Sequence, residues 1–229
     1  MNLYSSHLHR TRVWDLPTRL FHWTLVISVV GLVISGNVGG SAMTWHFRFG
    51  QAVMSLLLFR LIWGLIGGRW SRFSAFNLRP SAIFGELRGR HDEARRIGHS
   101  PLGSLAVLAF GLVLVAQVGS GLMSDDEIAF AGPLSHLVSS ATVSSATAYH
   151  KQIGKFLLIG LVLLHLLAII WHTFKGHAIV GAMVHGDKPL EHIAPAARDD
   201  AFTRVMALLV LLGCVALSIW VFRLAPAGF

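Results

Sequence analysis

The chain has 229 residues, 54% hydrophobic and 13% charged, with a net charge of +8 and one cysteine. The charged fraction is about half that of soluble domains, and with a mean hydropathy of +0.62 it excludes an ordinary soluble globular protein. Lone Cys214 excludes a disulfide framework and a CxxCH haem attachment, and basic residues confined to loops between apolar runs exclude a nucleic-acid surface.

A bilayer-crossing helix needs about 20 mostly apolar residues, and five such stretches follow along the chain, at roughly 17–37, 46–67, 101–123, 150–174 and 204–223. Helices are expected because backbone groups in lipid must be satisfied within the segment. "GGSA" after the first span is a poor cleavage site, and that span is too long for a signal-peptide core, so it is expected to stay. Arg10, Arg12 and Arg19 precede the first span. Arg69, Arg72, Arg79, Arg88, Arg90, Arg95 and Arg96 fill the second loop, and Lys175, Lys188, Arg198 and Arg204 the fourth. The opposite side carries only Arg48, Lys151 and Arg223, with the acidic "SDDE" at 124–127. The positive-inside rule then predicts a cytoplasmic N-terminus and a C-terminus on the outer side. The Ser-, Ala- and Thr-rich loop 124–149 faces outward, and 68–100, broken by Pro80 and Pro101, is the main cytoplasmic loop. The expected fold is all-α: a four-helix transmembrane bundle over 1–190, with a linker and a fifth, lipid- or partner-facing helix over 191–229.

Ionisable groups inside such spans are costly and face the bundle interior. The first span has His22 near its cytoplasmic end and Gly36 fourteen residues on. The second opens with His46 and has Arg60 fourteen residues deeper, about 21 Å along the axis and on nearly the same face. No acidic residue in the spans can pair with Arg60, so a cofactor carboxylate such as a haem propionate is its expected partner. The third opens with "GHSPLG", where His99 reads as part of the helix cap. The fourth, "YHKQIGKFLLIGLVLLHLLAIIWHTFKGH", carries His150, His165, His172 and His177. His165 lies about 22 Å and about 60° from His150; His172 lies about 33 Å away, at the interface. His46 and His150 thus define an outer level, and His22, Arg60 and His165 an inner one, with His172 as the alternative to His165. Gly50 follows His46 by four residues and Gly154 follows His150 by four, each a gap one turn along that would clear a flat ring.

Structural zinc wants closely spaced ligands, which these histidines are not. Bis-imidazole haem takes one histidine from each of two helices, and with both axial positions filled it suits electron transfer over oxygen chemistry. The residues thus read as two noncovalent haems stacked across the membrane. The rival reading is a nonredox transporter in which the histidines relay protons.

"VWDLPTRLFHW" opening the first span, "FRLIWGLIGGRWSRF" closing the second, "GHSPLG" opening the third and the histidine-bearing fourth resemble the bacterial cytochrome b561 family, which includes the b-type cytochrome subunits of nickel-iron hydrogenases. The resemblance covers about residues 10–186. It implies a four-helix core with two b haems, ligated by His22, His46, His150 and His165. It also implies electron exchange between membrane quinone and a redox partner: a cytochrome c, a dehydrogenase or a hydrogenase. One branch of the family oxidises superoxide directly, an alternative that needs a basic funnel at the outer haem. This chain has "WHFRFG" where "HEWLG" is more familiar, and His150 and His165 stand fifteen residues apart where fourteen is usual. No flavin, iron-sulfur or nicotinamide motif accompanies the spans, so a partner must supply or accept the electrons.

Overall fold

A computed structural model describes residues 9–89, 97–176 and 179–225; Arg90, Arg95, Arg96 and His177 lie outside the described residues. After the short strand β1 (His9–Arg12) come α1 (Leu16–Val38), α2 (Met43–Ile66), α3 (Pro80–Leu87), α4 (Pro101–Met123) and α5 (Ser140–Ala148). A single π turn (Tyr149–Gly154) runs on into α6 (Lys155–Phe174), followed by α7 (Ile179–His185), β2 (Asp187–Leu190) and α8 (Ala201–Phe222). Among the described residues five helical stretches are long and apolar enough to cross a membrane, in the order read from the sequence.

The ends of these helices follow from local chemistry. Asp15 caps α1, its Oδ1 accepting from the Thr18 amide at 2.8 Å, and Gly39 and Gly40, at φ +69° and +54°, stop it. Ser139 caps α5 by accepting from the Thr142 amide. The helix that carries the fourth apolar stretch begins earlier, at Ser140: its first two turns are Ser, Ala and Thr with one Val, helix-compatible but too polar to register as a membrane segment. The start of α4 is held by side chains from two elements. Ser100 Oγ accepts from the Gly103 amide at 3.1 Å and Glu86 from the Leu102 amide at 2.9 Å, while His99 packs on the rings of Trp14 and Phe76.

The chain forms two compact units. The first takes in Met1–Leu20, Ile62–Leu108 and His165–Ala207. Its core is Val13, Trp14 and Ala182, packed on by Trp70, Ile97 and Met183. β1 and β2 pair antiparallel, His9 opposite Leu190 and Arg12 opposite Asp187. Beside them Arg12 bonds Asp187 at 2.6 Å and Asp199 at 2.8 Å, and Arg204 bonds Asp199 at 3.1 Å. Burial alone would raise the Asp199 carboxyl, but the Arg204 and Leu16 bonds outweigh it and hold it below the usual range. Asp15, fully buried, ties the start of α1 to the exit of α2, accepting from the Gly68 amide at 3.1 Å and the Trp63 indole at 3.4 Å. A Cβ on Gly68 would strike that carboxylate, so glycine is required there.

The second unit takes in Phe21–Leu61, Ala109–Leu164 and Leu208–Phe229. Val53, Leu57, Leu114 and Leu158 form its core. α8, expected from its apolar sequence to face lipid or a partner, also packs inward here: Ser218 Oγ donates to the Gln51 carbonyl at 3.0 Å, and Cys214 is buried.

Candidate haem-binding site

The second unit encloses a cavity of about 450 Å³ that His46 and His150 both line. Their ring centres lie 6.1 Å apart with planes at 85°. A metal between two imidazoles, at ~2.0–2.1 Å from each nitrogen with each ring centre about 1.1 Å behind it, sets the ring centres about 6.3 Å apart. The observed spacing would let the two rings hold one metal. Among the described residues no three His, Cys, Asp or Glu side chains gather as a metal site, so two imidazoles here suit a metal that brings its own equatorial donors, as haem does.

Each ring is held the same way, by a different helix. His46 Nδ1 donates to the Leu32 carbonyl of α1 at 3.1 Å, with Ser35 Oγ 3.4 Å away. His150 Nδ1 donates to the Gln117 carbonyl of α4 at 2.9 Å, with Ser120 Oγ at 3.4 Å. Nδ1 must carry the proton to donate to a carbonyl, so each Nε2 keeps its lone pair for a metal, as in second-shell fixing of ligating histidines. One residue beyond each serine a glycine admits the ring. A Cβ on Gly36 would sit 3.1 Å from His46 Cε1, and one on Gly121 2.8 Å from His150 Cε1.

The two glycines singled out in the sequence divide. Gly50 lines the cavity, and a Cβ there would meet nothing within 4 Å, leaving space beside His46. Gly154 is buried against Gln117, whose Oε1 a Cβ would strike; its gap receives that amide. Gln117 Nε2 donates to the His150 carbonyl at 3.0 Å, while its buried Oε1 has no hydrogen-bond partner among the described residues.

His150 sits in the π turn, a rare form that clusters at functional sites. One such turn takes up one extra residue, so the fifteen residues from His150 to His165 span the arc of about fourteen α-helical steps, about 40° apart. That is the interval from His46 to Arg60 and from His22 to Gly36. His22 and Arg60, both half-buried, belong to the second unit, and half-buried His165 and His172 to the first.

The loop after α4 forms part of the cavity wall through Asp125, Asp126 and Phe130. Asp126 Oδ1 accepts from the Phe130, Ala129 and Ile128 amides at 2.8, 2.9 and 3.0 Å, and these bonds, that of Phe130 foremost, lower its carboxyl below the usual range. Lys151 and Lys155 also line the cavity.

Neither Leu32, Ser35 and Gln117 nor Ser120 and Gly121 stood out in the sequence. A signal was available: "LVISG" at 32–36 and "QVGSG" at 117–121 share a Ser-Gly at the same offsets, and Gln117 is the only amide side chain in α4.

The comparisons decide the family. The prokaryotic cytochrome b561 family model matches residues 13–186. The chain belongs to this family. It is 24% identical, over 76% of its length and 88% of theirs, to the proteins named "Probable Ni/Fe-hydrogenase 1 B-type cytochrome subunit" of Escherichia coli strain K12 and of Escherichia coli O157:H7. No solved structure matches it. The chain is thus a multi-pass membrane b-type cytochrome of electron transfer, and its family implies haem b.

Proposed function

We propose that this cytochrome b561 family member carries electrons between membrane quinone and a redox partner protein through two haems, one near each membrane face. The observation that carries the reading is the His46–His150 pair, two imidazoles on one cavity with ring centres 6.1 Å apart and matched supports. Haem b supplies a one-electron carrier there. His46 and His150 hold it, their Nδ1 protons fixed by the Leu32 and Gln117 carbonyls. Gly50 leaves room for the ring, and the apolar core below excludes water. His22 and Arg60 of the second unit and His165 of the first are the residues that would serve further haem, the histidines as ligands and Arg60 as a partner for carboxylate charge.

The partner is a hydrogenase-type or other dehydrogenase subunit, or a cytochrome c; the likeness to hydrogenase cytochrome subunits supports the first. The arginine-rich loops support a cytoplasmic N-terminus and a periplasmic C-terminus. Asp125 and Asp126 stand with Lys151 and Lys155 in the cavity wall, a balance that gives little attraction to superoxide.

The test is a reduced-minus-oxidised spectrum with a haem count on the purified protein. Two b haems per chain are expected; one haem removes the inner site, and a colourless protein ends the reading. Arg60→Leu is expected to move one of two midpoint potentials to more negative values, because loss of a cation disfavours the reduced state. An unchanged titration removes Arg60 from the inner site.

A further inference from the structure

The first unit holds a second cavity, of about 710 Å³, outside the site described above. It lies where α2 ends at Ile66 and α8 begins at Ala201, the ends of two membrane-length helices and so the depth of lipid headgroups. Three arginines line it, Arg69, Arg72 and Arg198, and among the described residues no acidic side chain does, although Asp200 pairs with Arg198. Trp63, Trp70 and Phe202 give it aromatic walls, a composition typical of the membrane–water boundary.

The arginines are positioned without being used up. Arg72 Nε donates to the Gly67 carbonyl at 2.7 Å, which fixes the stem and leaves its terminal nitrogens. Arg198 is braced by Asp200 at 2.5 Å and lies 5.1 Å from the Phe202 ring centre. Trp70 is fixed by its indole bond to the Pro195 carbonyl at 2.9 Å. Arg69 is exposed. Guanidinium groups match phosphate oxygens in geometry as well as charge, and basic pockets at helix ends on the cytoplasmic side suit anionic headgroups.

We propose that this cavity binds the phosphate of an anionic phospholipid from the cytoplasmic leaflet, with the acyl chains leaving along the apolar ends of α2 and α8. The aromatic walls favour an amphiphile over free phosphate, which needs only the cations. Each arginine that faces the headgroup contributes about five-fold to affinity.

The test is native mass spectrometry of the detergent-released, haem-loaded protein titrated with phosphatidylglycerol, phosphatidylcholine or inorganic phosphate. Wild-type protein is expected to prefer phosphatidylglycerol, and Arg69→Gln with Arg198→Gln to lose about 25-fold in its affinity. Arg79→Gln with Arg88→Gln, which removes two charges of the 68–100 loop outside the cavity, is expected to stay within two-fold. The visible spectrum checks that each variant is folded; if the first double variant is not, Arg69→Gln alone is expected to lose about five-fold. Retained phosphatidylglycerol affinity in the folded variant overturns the proposal. So does an equal loss in the control pair, equal binding of phosphatidylcholine, or displacement by inorganic phosphate at the same concentration.

Discussion

His46 and His150 line one cavity with their rings 6.1 Å apart, yet the helices that support them achieve it differently. On α1 the support is Leu32, Ser35 and Gly36; on α4 it is Gln117, Ser120 and Gly121, at the same offsets. The His46 side is ordinary α-helix with an apolar Leu32. The His150 side contains a π turn, whose altered ladder leaves backbone groups to satisfy, and Gln117 answers with a side-chain bond to the His150 carbonyl. A common arrangement of carbonyl, hydroxyl and gap therefore sits on two backbones of unequal regularity, and only the irregular one needs a polar side chain to hold it.

The largest effect expected of that pairing is on haem itself. His46→Ala and His150→Ala are each expected to remove about half of the haem, since neither imidazole can replace the other across the ring. A haem count checks this; a full complement in both variants breaks the pairing. Gly50→Leu comes next and separates haem from mere space. Nothing in the protein lies within 4 Å of a Cβ there, so leucine, a good helix former, is expected to leave helix content by circular dichroism unchanged and to lower haem content. Unaltered haem would place the ring elsewhere in the cavity.

Gln117→Leu gives α4 the residue that α1 carries at the matching offset. It removes the bond to the His150 carbonyl and is expected to cost about 1 kcal/mol of stability. It is also expected to alter the low-spin electron paramagnetic resonance signal of the outer haem, by loosening the π turn under His150. Leu32→Gln, the converse change, has no open carbonyl to serve and is expected to leave that signal in place. Equal spectra for both variants would show that the π turn does not depend on Gln117.

Much of this was legible in the sequence. Span number and order follow from hydropathy, and His22, His46, His150 and His165 stand out because ionisable groups in apolar helices are costly. Polar but helix-compatible stretches such as 140–148 were not legible, because hydropathy does not register a helix made of Ser, Thr and Ala. The π turn was visible only as a fifteen-residue interval that straight-helix arithmetic rendered as about 60°. Gly154 was legible as a gap but not what fills it, since the Gln117 amide arrives from another helix. The carbonyls that support the histidines have no sequence signature of their own; only the Ser-Gly pairs beside them, at 35–36 and 120–121, mark the two places.

The smallest effects, and the sharpest on the comparison, concern the two serines. Ser35 Oγ donates chiefly to the Gly31 carbonyl at 2.6 Å and only distantly to that of Leu32, at 3.4 Å. The Leu32 carbonyl is therefore left largely to His46, and the serine oxygen adds a weak second acceptor for its Nδ1 proton. Ser120 Oγ instead donates to the Gln117 carbonyl at 3.1 Å, the same oxygen that His150 Nδ1 uses, and so competes with the ligand. Ser120→Ala is expected to free that oxygen, strengthen the Nδ1 bond and raise electron density on the imidazole, which favours oxidised iron and moves the outer potential to more negative values. Ser35→Ala removes a weak acceptor from His46 and is expected to move it slightly the other way. Both shifts amount to about 0.5 kcal/mol or less, within reach of a spectroelectrochemical titration. Shifts of the same sign would mean that the two hydroxyls act alike, and that the likeness of the two supports extends to their function as well as their spacing.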